Sequence, residues 1–201
     1  MRKLLIATRN KGKIEEIKYK LKDLPFELVS LDEITEDESL KEVEENAMGF
    51  EGNAIIKALV FGNRFKCLTL GDDSGLEVDA LGGRPGINTS RYPGNTAEEK
   101  YFNLLKEMKD VPGGKRTARF VGAIAIYDPE TERVFTCEDE LKGLIAREPK
   151  GDLGFGYDPI MYLPELDKSA AELTLKEKSA IDHRGKALDK AKRILKENYL
   201  S

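Results

Sequence analysis

Two adjacent carboxylates, Asp72 and Asp73, separate an apolar run from Ser74 and Gly75 in the stretch GDDSGLEVDALGG. At the carboxyl end of a strand in an α/β sheet, where ligands usually bind, such hard oxygen donors suit Mg²⁺ that also contacts substrate phosphates. One of the two could ligate metal and also orient water. Read without chemistry, the same pair is a turn or a helix cap, since Asp favours both. Near the start, residues 8–13 read TRNKGK, that is Thr8, Arg9, Asn10, Lys11, Gly12 and Lys13. Between a strand and a helix such a segment turns backbone amides towards an anion, and Lys11 and Lys13 add full positive charge. With one glycine it is neither a Walker A loop nor a GxGxxG fingerprint, so alone it reads equally as an ordinary turn with solvated lysines.

Two further groups can recognise a ligand. His183, the lone histidine, lies in DHRGK. Asp182 is a good N-cap there, which puts His183 and Arg184 in a first helical turn, facing any anion that terminus attracts. Arg184, with Lys178 nearby in sequence, can hold a phosphate or a base carbonyl by directed hydrogen bonds. The segment GFGYD (residues 154–158) offers the rings of Phe155 and Tyr157 for stacking, Gly156 between them, and Asp158 as acceptor for a ring N–H. Its plain alternative is a glycine-rich turn with core aromatics.

The elements that must position these groups follow from periodicity. Residues 3–8 form a short apolar run, and Ile14, Ile17 and Leu21 follow at helical spacing from Lys11, which gives strand, loop, helix. Pro25 ends that helix, 26–31 reads as a strand, and 32–44 as a polar loop or frayed helix. A long helix is expected over 45–64 despite Gly49 and Gly52. A strand at 67–70 should end at the acidic motif, and 76–81 alternates as an edge or hairpin strand. Thr96 and Glu99 form a capping box opening a helix to about residue 109. Residues 117–127 and 134–145 read as a long hairpin, 160–163 as a short strand, and Ala187, Leu188, Ala191, Ile194 and Leu195 as the apolar stripe of a C-terminal helix. The alternation predicts an α/β fold with an elongated mixed β-sheet flanked by helices. It is read as one domain over 1–201, with a second lobe at about 115–165.

Composition narrows the class. Forty per cent hydrophobic and 35% charged residues describe a soluble globular chain. The opening run stops at Thr8 without a cleavage-like pattern and reads as a strand rather than a signal. Cys67 and Cys137 are far apart with no CxxC, so neither a zinc site nor a disulfide framework is expected, and a cytoplasmic location is. A net charge of -4 argues against general nucleic-acid binding. No membrane partner is expected. Acidic residues crowd 32–51, whereas 176–196 holds eight Lys or Arg against three Asp or Glu. One segment could hold a cation and the other an anion, although both are also ordinary solvated faces.

Taken together, ATRNKGK, ENAMGFEGNAIIKA, GDDSGLEVDALGGRPGINTSRYPG, REPKGDLGFGYDPIM and AELTLKEKSAIDHRGKAL resemble, in order and nearly end to end, the inosine triphosphate pyrophosphatase family. The resemblance implies an Mg²⁺-dependent enzyme, usually a homodimer, that hydrolyses ITP, dITP and XTP to monophosphate and pyrophosphate and so cleanses the nucleotide pool. It implies a long mixed sheet with two lobes around a central cleft. Carried onto this chain, it gives Thr8, Arg9, Asn10, Lys11, Gly12 and Lys13 to the phosphates. Asp73 becomes base and metal-associated carboxylate, Ser74 a substrate contact, and Glu45 or Glu44 a second metal carboxylate. Lys57 adds charge, and Phe155, Gly156, Tyr157, Asp158, Lys178, His183 and Arg184 form a base pocket. Where the family commonly has Ser-His-Arg, this chain has Asp182-His183-Arg184; Ser and Asp cap helices almost equally well. Two other readings compete: a Maf-like pyrophosphatase for modified pyrimidine nucleotides, against which GFGYDP and DHR speak, and a nucleotide-binding sensor without catalysis.

Overall fold

The computed structural model describes residues 1–41 and 43–200. Seven strands form one mixed sheet in the order β2-β1-β3-β4-β5-β6-β7. These are β1 (Arg2–Ala7), β2 (Phe26–Ser30), β3 (Leu68–Val78), β4 (Thr117–Asp128), β5 (Arg133–Ile145), β6 (Met161–Leu163) and β7 (Lys168–Ser169). β1 pairs in parallel with both β2 and β3, while β6 runs antiparallel to β5 and to β7. The helices are α1 (Lys11–Leu21), α2 (Leu31–Ile34), α3 (Phe50–Phe65), α4 (Ala97–Glu107), α5 (Leu175–Ile181) and α6 (His183–Tyr199).

By contacts the chain divides into two compact units. The first comprises Met1–Asp73, Gly122–Asp139 and His183–Ser201, and the second Ser74–Val121 and Glu140–Asp182. In the first unit β1 is buried on both faces, as a central parallel strand must be, and its side chains alternate between two cores. Leu4 and Ile6 pack with Leu68 and Leu70, with Ile17 and Leu21 of α1, and with Ala187, Leu188, Ala191 and Leu195 of α6. Leu5 and Ala7 pack with Leu31 and with Phe61 of α3. Thus α1 and α6 cover one face and α3 the other.

The strand expected over 76–81 is not separate: it is the end of β3, followed by a 3₁₀ turn at Asp79–Leu81. Two departures from the sequence reading matter for the site. First, β3 does not stop at Leu70; it runs unbroken to Val78, so Asp72 and Asp73 lie inside a strand. Gly, Asp and Ser are poor strand formers, which is why the stretch looks like a break. What overrides propensity is tertiary: the last β1–β3 partners are Ala7 and Gly71, and the acids just beyond them find cations. The carboxylates therefore emerge at the carboxyl end of β1, not of their own strand. Second, α3 starts at Phe50 rather than at residue 45, capped by extended Gly49. The preceding segment folds back on the first turn of α3 so closely that a Cβ on Gly52 would lie 2.6 Å from the Ala47 Cβ. The polar stretch before it forms α2 and a short 3₁₀ turn at Glu38–Lys41, and Glu42 lies outside the described residues.

In the second unit Leu76, Val78, Leu104, Phe120, Ile145, Ile160 and Met161 are part of a separate core. Thr96 caps α4 as expected, its hydroxyl accepting from the Glu99 amide at 3.1 Å, but the Glu99 carboxylate accepts from Asn95 N–H instead of the cap amide. Helix α5, which the periodicity did not announce, is held by a capping box between Thr174 and Glu177. No helix among the described residues is long and apolar enough to cross a membrane.

Candidate active site

Because side chains alternate along a strand, Asp72 and Asp73 point to opposite faces of the sheet and meet different helices. Asp72 faces α1 and α6. Its Oδ1 lies 2.6 Å from Lys13 Nζ, its Oδ2 accepts from Arg184 Nε at 2.8 Å, and Arg184 Nη1 donates to Glu16 Oε2 at 2.6 Å. Asp72, Glu16 and Arg184 are all buried. Burial alone would raise the Asp72 pKa, but Arg184 and Lys13 outweigh it and hold the carboxyl well below the usual range. Lys13 is lowered by burial, against the pull of Asp72.

Asp73 faces α3. Its Oδ1 accepts from Lys57 Nζ at 2.8 Å and its Oδ2 from Asn53 Nδ2 at 3.2 Å. Lys57 also reaches Glu45 Oε2 at 3.0 Å and the Asp72 carbonyl at 3.1 Å. Burial pushes the Asp73 carboxyl upward, against Lys57 and Lys13, and Glu45 adds to the rise. Burial also opposes the Lys57 ammonium, but Asp73 and Glu45 prevail and raise its pKa. The close fit of α3 onto β3 comes from Gly71: a Cβ there would sit 2.2 Å from the Ala54 carbonyl oxygen.

The 8–13 segment crosses from β1 into α1. Asn10 caps the helix, its Oδ1 accepting from the Lys13 amide at 3.2 Å, and its own amide donates to Thr8 Oγ1 at the same distance. Arg9 reaches out to Glu38 at 2.6 Å, and Lys11 is exposed. His183 opens α6 and is buried, its ring so close to β4 that a Cβ on Gly122 would approach Cδ2 to 2.7 Å.

The remaining candidates belong to the second unit. Asp158 and Lys178, both buried, form an ion pair of 2.5 Å. Asp158 Oδ2 also accepts from the Phe155 amide at 2.8 Å, and Lys178 Nζ lies 4.7 Å from the centre of the Phe155 ring. Gly154 (φ 74°) makes this turn possible, since a Cβ there would lie 2.2 Å from Asp158 Oδ2. The loop is closed by Ala146 N–H to the Ile160 carbonyl at 2.8 Å and Lys150 N–H to the Pro159 carbonyl at 2.9 Å. Gly156 has φ 64°, and buried Tyr157 donates to the Thr89 carbonyl at 3.3 Å. Ser74, half-buried, follows Asp73 along β3.

The first unit thus gathers two sets of ion pairs, Asp72 with Lys13 and Arg184 on one face of β3 and Lys57 with Asp73 and Glu45 on the other, and the second gathers Phe155, Asp158 and Lys178. Glu44, the alternative to Glu45, is exposed. Two members of these clusters were not singled out from the sequence. Glu16 is three residues after Lys13 on α1, and Asn53 is four before Lys57 on α3, so each shares a helix face with a residue already marked. Among the described residues no three His, Cys, Asp or Glu side chains gather as a protein-only metal cage. Glu45 and Asp73, two carboxylates meeting at one cation, are instead the kind of donor set Mg²⁺ accepts when substrate phosphates complete its shell.

The Ham1 family model matches residues 4–194. The chain is 45% identical to a dITP/XTP pyrophosphatase of Desulforamulus reducens, over 98% of each protein. It is 42% identical to one of Bacillus subtilis, over 97% of this chain and 98% of that protein. A solved HAM1 protein structure from Coxiella burnetii matches with a TM-score of 0.86 and 37% identity, covering 98% of this chain and all of that one.

Proposed function

The chain belongs to the Ham1 family, and we propose that it is a nucleoside triphosphate pyrophosphatase that hydrolyses dITP, XTP and ITP to the monophosphate and pyrophosphate. The observation that carries this reading is Asp73: a buried carboxylate aimed by Lys57 and Asn53, with Glu45 beside the same lysine. The near full-length relatives named for this activity on dITP and XTP support it.

In this reading the amides at the start of α1, with Thr8, Arg9, Asn10, Lys11, Gly12 and Lys13, attract and orient the phosphates. Asp73 orients the attacking water and takes its proton. Burial raises its pKa towards the operating pH, which is what a general base requires. Lys57 keeps positive charge where negative charge accumulates. Glu45 and Asp73 would hold Mg²⁺, which when bound neutralises the triphosphate and stabilises the leaving pyrophosphate. Glu16 fixes Arg184, Arg184 fixes Asp72, and Asp72 in turn fixes Lys13. Ser74 is assigned to substrate. Phe155, Gly156, Tyr157, Asp158 and Lys178 of the second unit are assigned to the base; His183 and Arg184, which the resemblance also gives to the base, lie in the first unit, where Arg184 is already held by Asp72 and Glu16. A 6-oxo purine carries a ring N1–H where adenine carries an acceptor, so polar groups set for the keto form are left unpaired by adenine. A cytoplasmic homodimer completes the proposal on family grounds.

Pyrophosphate release from dITP, XTP, ITP, ATP and GTP, with and without Mg²⁺, tests it. Turnover of the first three well above ATP and GTP is expected. Equal turnover of all five would sink the selectivity, release of orthophosphate the reaction type, and faster turnover of UTP or dTTP the purine assignment.

A further inference from the structure

Asn53 is fully buried in the first turns of α3, and its amide bonds at both ends. Oδ1 accepts from the Ala47 amide at 3.0 Å, and Nδ2 donates to Asp73 Oδ2 at 3.2 Å. The orientation is forced, because a backbone N–H only donates and an ionised carboxylate only accepts. One side chain therefore spans two segments: β3, which carries Asp73, and the folded-back stretch that carries Glu45. Lys57, one turn further along α3, bridges the same two segments through the carboxylates of Asp73 and Glu45, at 2.8 and 3.0 Å. The two braces differ in kind. Lys57 supplies charge on a flexible stem, whereas Asn53 is short, directional and locked by packing. The close approaches at Gly52 and Gly71 fix α3 against both segments, so the amide has little room to follow a carboxylate that turns.

We propose that Asn53 is a positioning residue for the hydrolysis assigned above, on which this rests: it sets the direction of the Asp73 carboxylate and ties the Glu45 segment to it. Asn53 is assigned no contact with substrate or water; it acts through its hydrogen bond to Asp73. Losing a hydrogen bond to a charged group converts to about a 10- to 150-fold loss of rate if that bond is needed only for the chemical step.

The test compares Asn53→Ala with Asn53→Asp, measuring kcat and KM for dITP and recording thermal melts. Asn53→Asp keeps the acceptor for Ala47 but turns an oxygen towards Asp73. If Asn53 only docks the 43–47 segment, that variant retains wild-type kcat, which would overturn the proposal. If it positions Asp73, both variants lose kcat about 10- to 150-fold with KM within roughly threefold of wild type. A loss confined to KM also overturns it. Should either variant fail to fold, the Asn53 side-chain amide resonance of the unaltered protein decides. A signal protected from exchange and moved by Asp73→Ala supports the proposal, and one that Asp73→Ala leaves in place refutes it. If the wild-type chain released no pyrophosphate, the assigned reaction would fail by itself. The same resonance would still report whether Asn53 holds Asp73.

Discussion

Asp72→Asn is expected to cost stability, although it removes only one charge from a residue beside the proposed base. The substitution is nearly isosteric, so its effect is electrostatic. Lys13 Nζ and Arg184 Nε lie 2.6 and 2.8 Å from the carboxylate that would be lost, and Arg184 is buried. Glu16 keeps a bond to Arg184, whereas Lys13 loses its ion-pair partner and keeps only the weaker pull of Asp73. Removing one partner of a buried pair costs about 3–5 kcal/mol, because the other charge stays desolvated. For a chain of 201 residues this is a fall in melting temperature of about 6–20 °C. Scanning calorimetry of both proteins at pH 7 measures it.

The pH dependence has a definite sign. The folded-state pKa of Asp72 is depressed, so its contribution is complete above the ordinary aspartate value of about 3.9 and is lost as pH falls below it. The gap between wild type and variant should hold from pH 8 to pH 5 and close at lower pH. Molar salt should barely change it, since buried pairs are poorly screened. A loss under about 2 °C, or one that salt abolishes, would refute the view of Asp72 as the anchor of a buried network. Asp73→Asn supplies the contrast: Lys57 keeps Glu45 and the Asp72 carbonyl, so melting should move less while turnover collapses.

Gly71→Ala drives a methyl against the Ala54 carbonyl oxygen, 2.2 Å away, and should cost about 1–3 kcal/mol in urea unfolding while shifting Lys57 and Asn53 off Asp73 and lowering kcat. Gly154→Ala meets Asp158 Oδ2 at 2.2 Å in a left-handed backbone, so KM for dITP should rise about tenfold, with kcat changed less; an unaltered KM would detach this loop from the base. Glu33 accepts from Lys18 and from the Ser30 amide and hydroxyl, Lys18 foremost, and its pKa is lowered to about 2. With its side chain half exposed and screened, Glu33→Gln should cost about 1 kcal/mol at pH 7, a difference that shrinks as pH falls from 4.5 towards 2.

Much of the frame was legible locally. The β1–α1 entry, the β4 and β5 runs and the apolar stripe of α6 each follow from short-range pattern. The elements misjudged are those in which tertiary contact overrules propensity: β3 carries Gly-Asp-Asp-Ser-Gly through its middle, and α3 gives up its expected first turn to the folded-back segment. The same holds for the site. Residue types marked Lys13, the acidic pair and Lys178, and the family resemblance marked Lys57; the pairing of Arg184 with Asp72, 112 positions apart, leaves no local trace, and the buried partners Glu16 and Asn53 show only as helix-face neighbours of Lys13 and Lys57.

Placing the acidic pair inside a strand is what separates its members. In a loop, two adjacent carboxylates would be interchangeable candidates for one role, and their mutual repulsion would have to be met by a shared cation. In β3 the twofold alternation sends Asp72 to the face of α1 and α6 and Asp73 to the face of α3, so each acquires its own cation and its own helix. Their electrostatic environments then diverge: two close cations hold Asp72 ionised, while burial beside Glu45 lifts Asp73. A carboxylate fixed in its charge suits the holding of Lys13, and one whose proton affinity has been raised suits the taking of a proton. The strand geometry that defeated the propensity reading is thus what allows neighbouring identical residues to do different work.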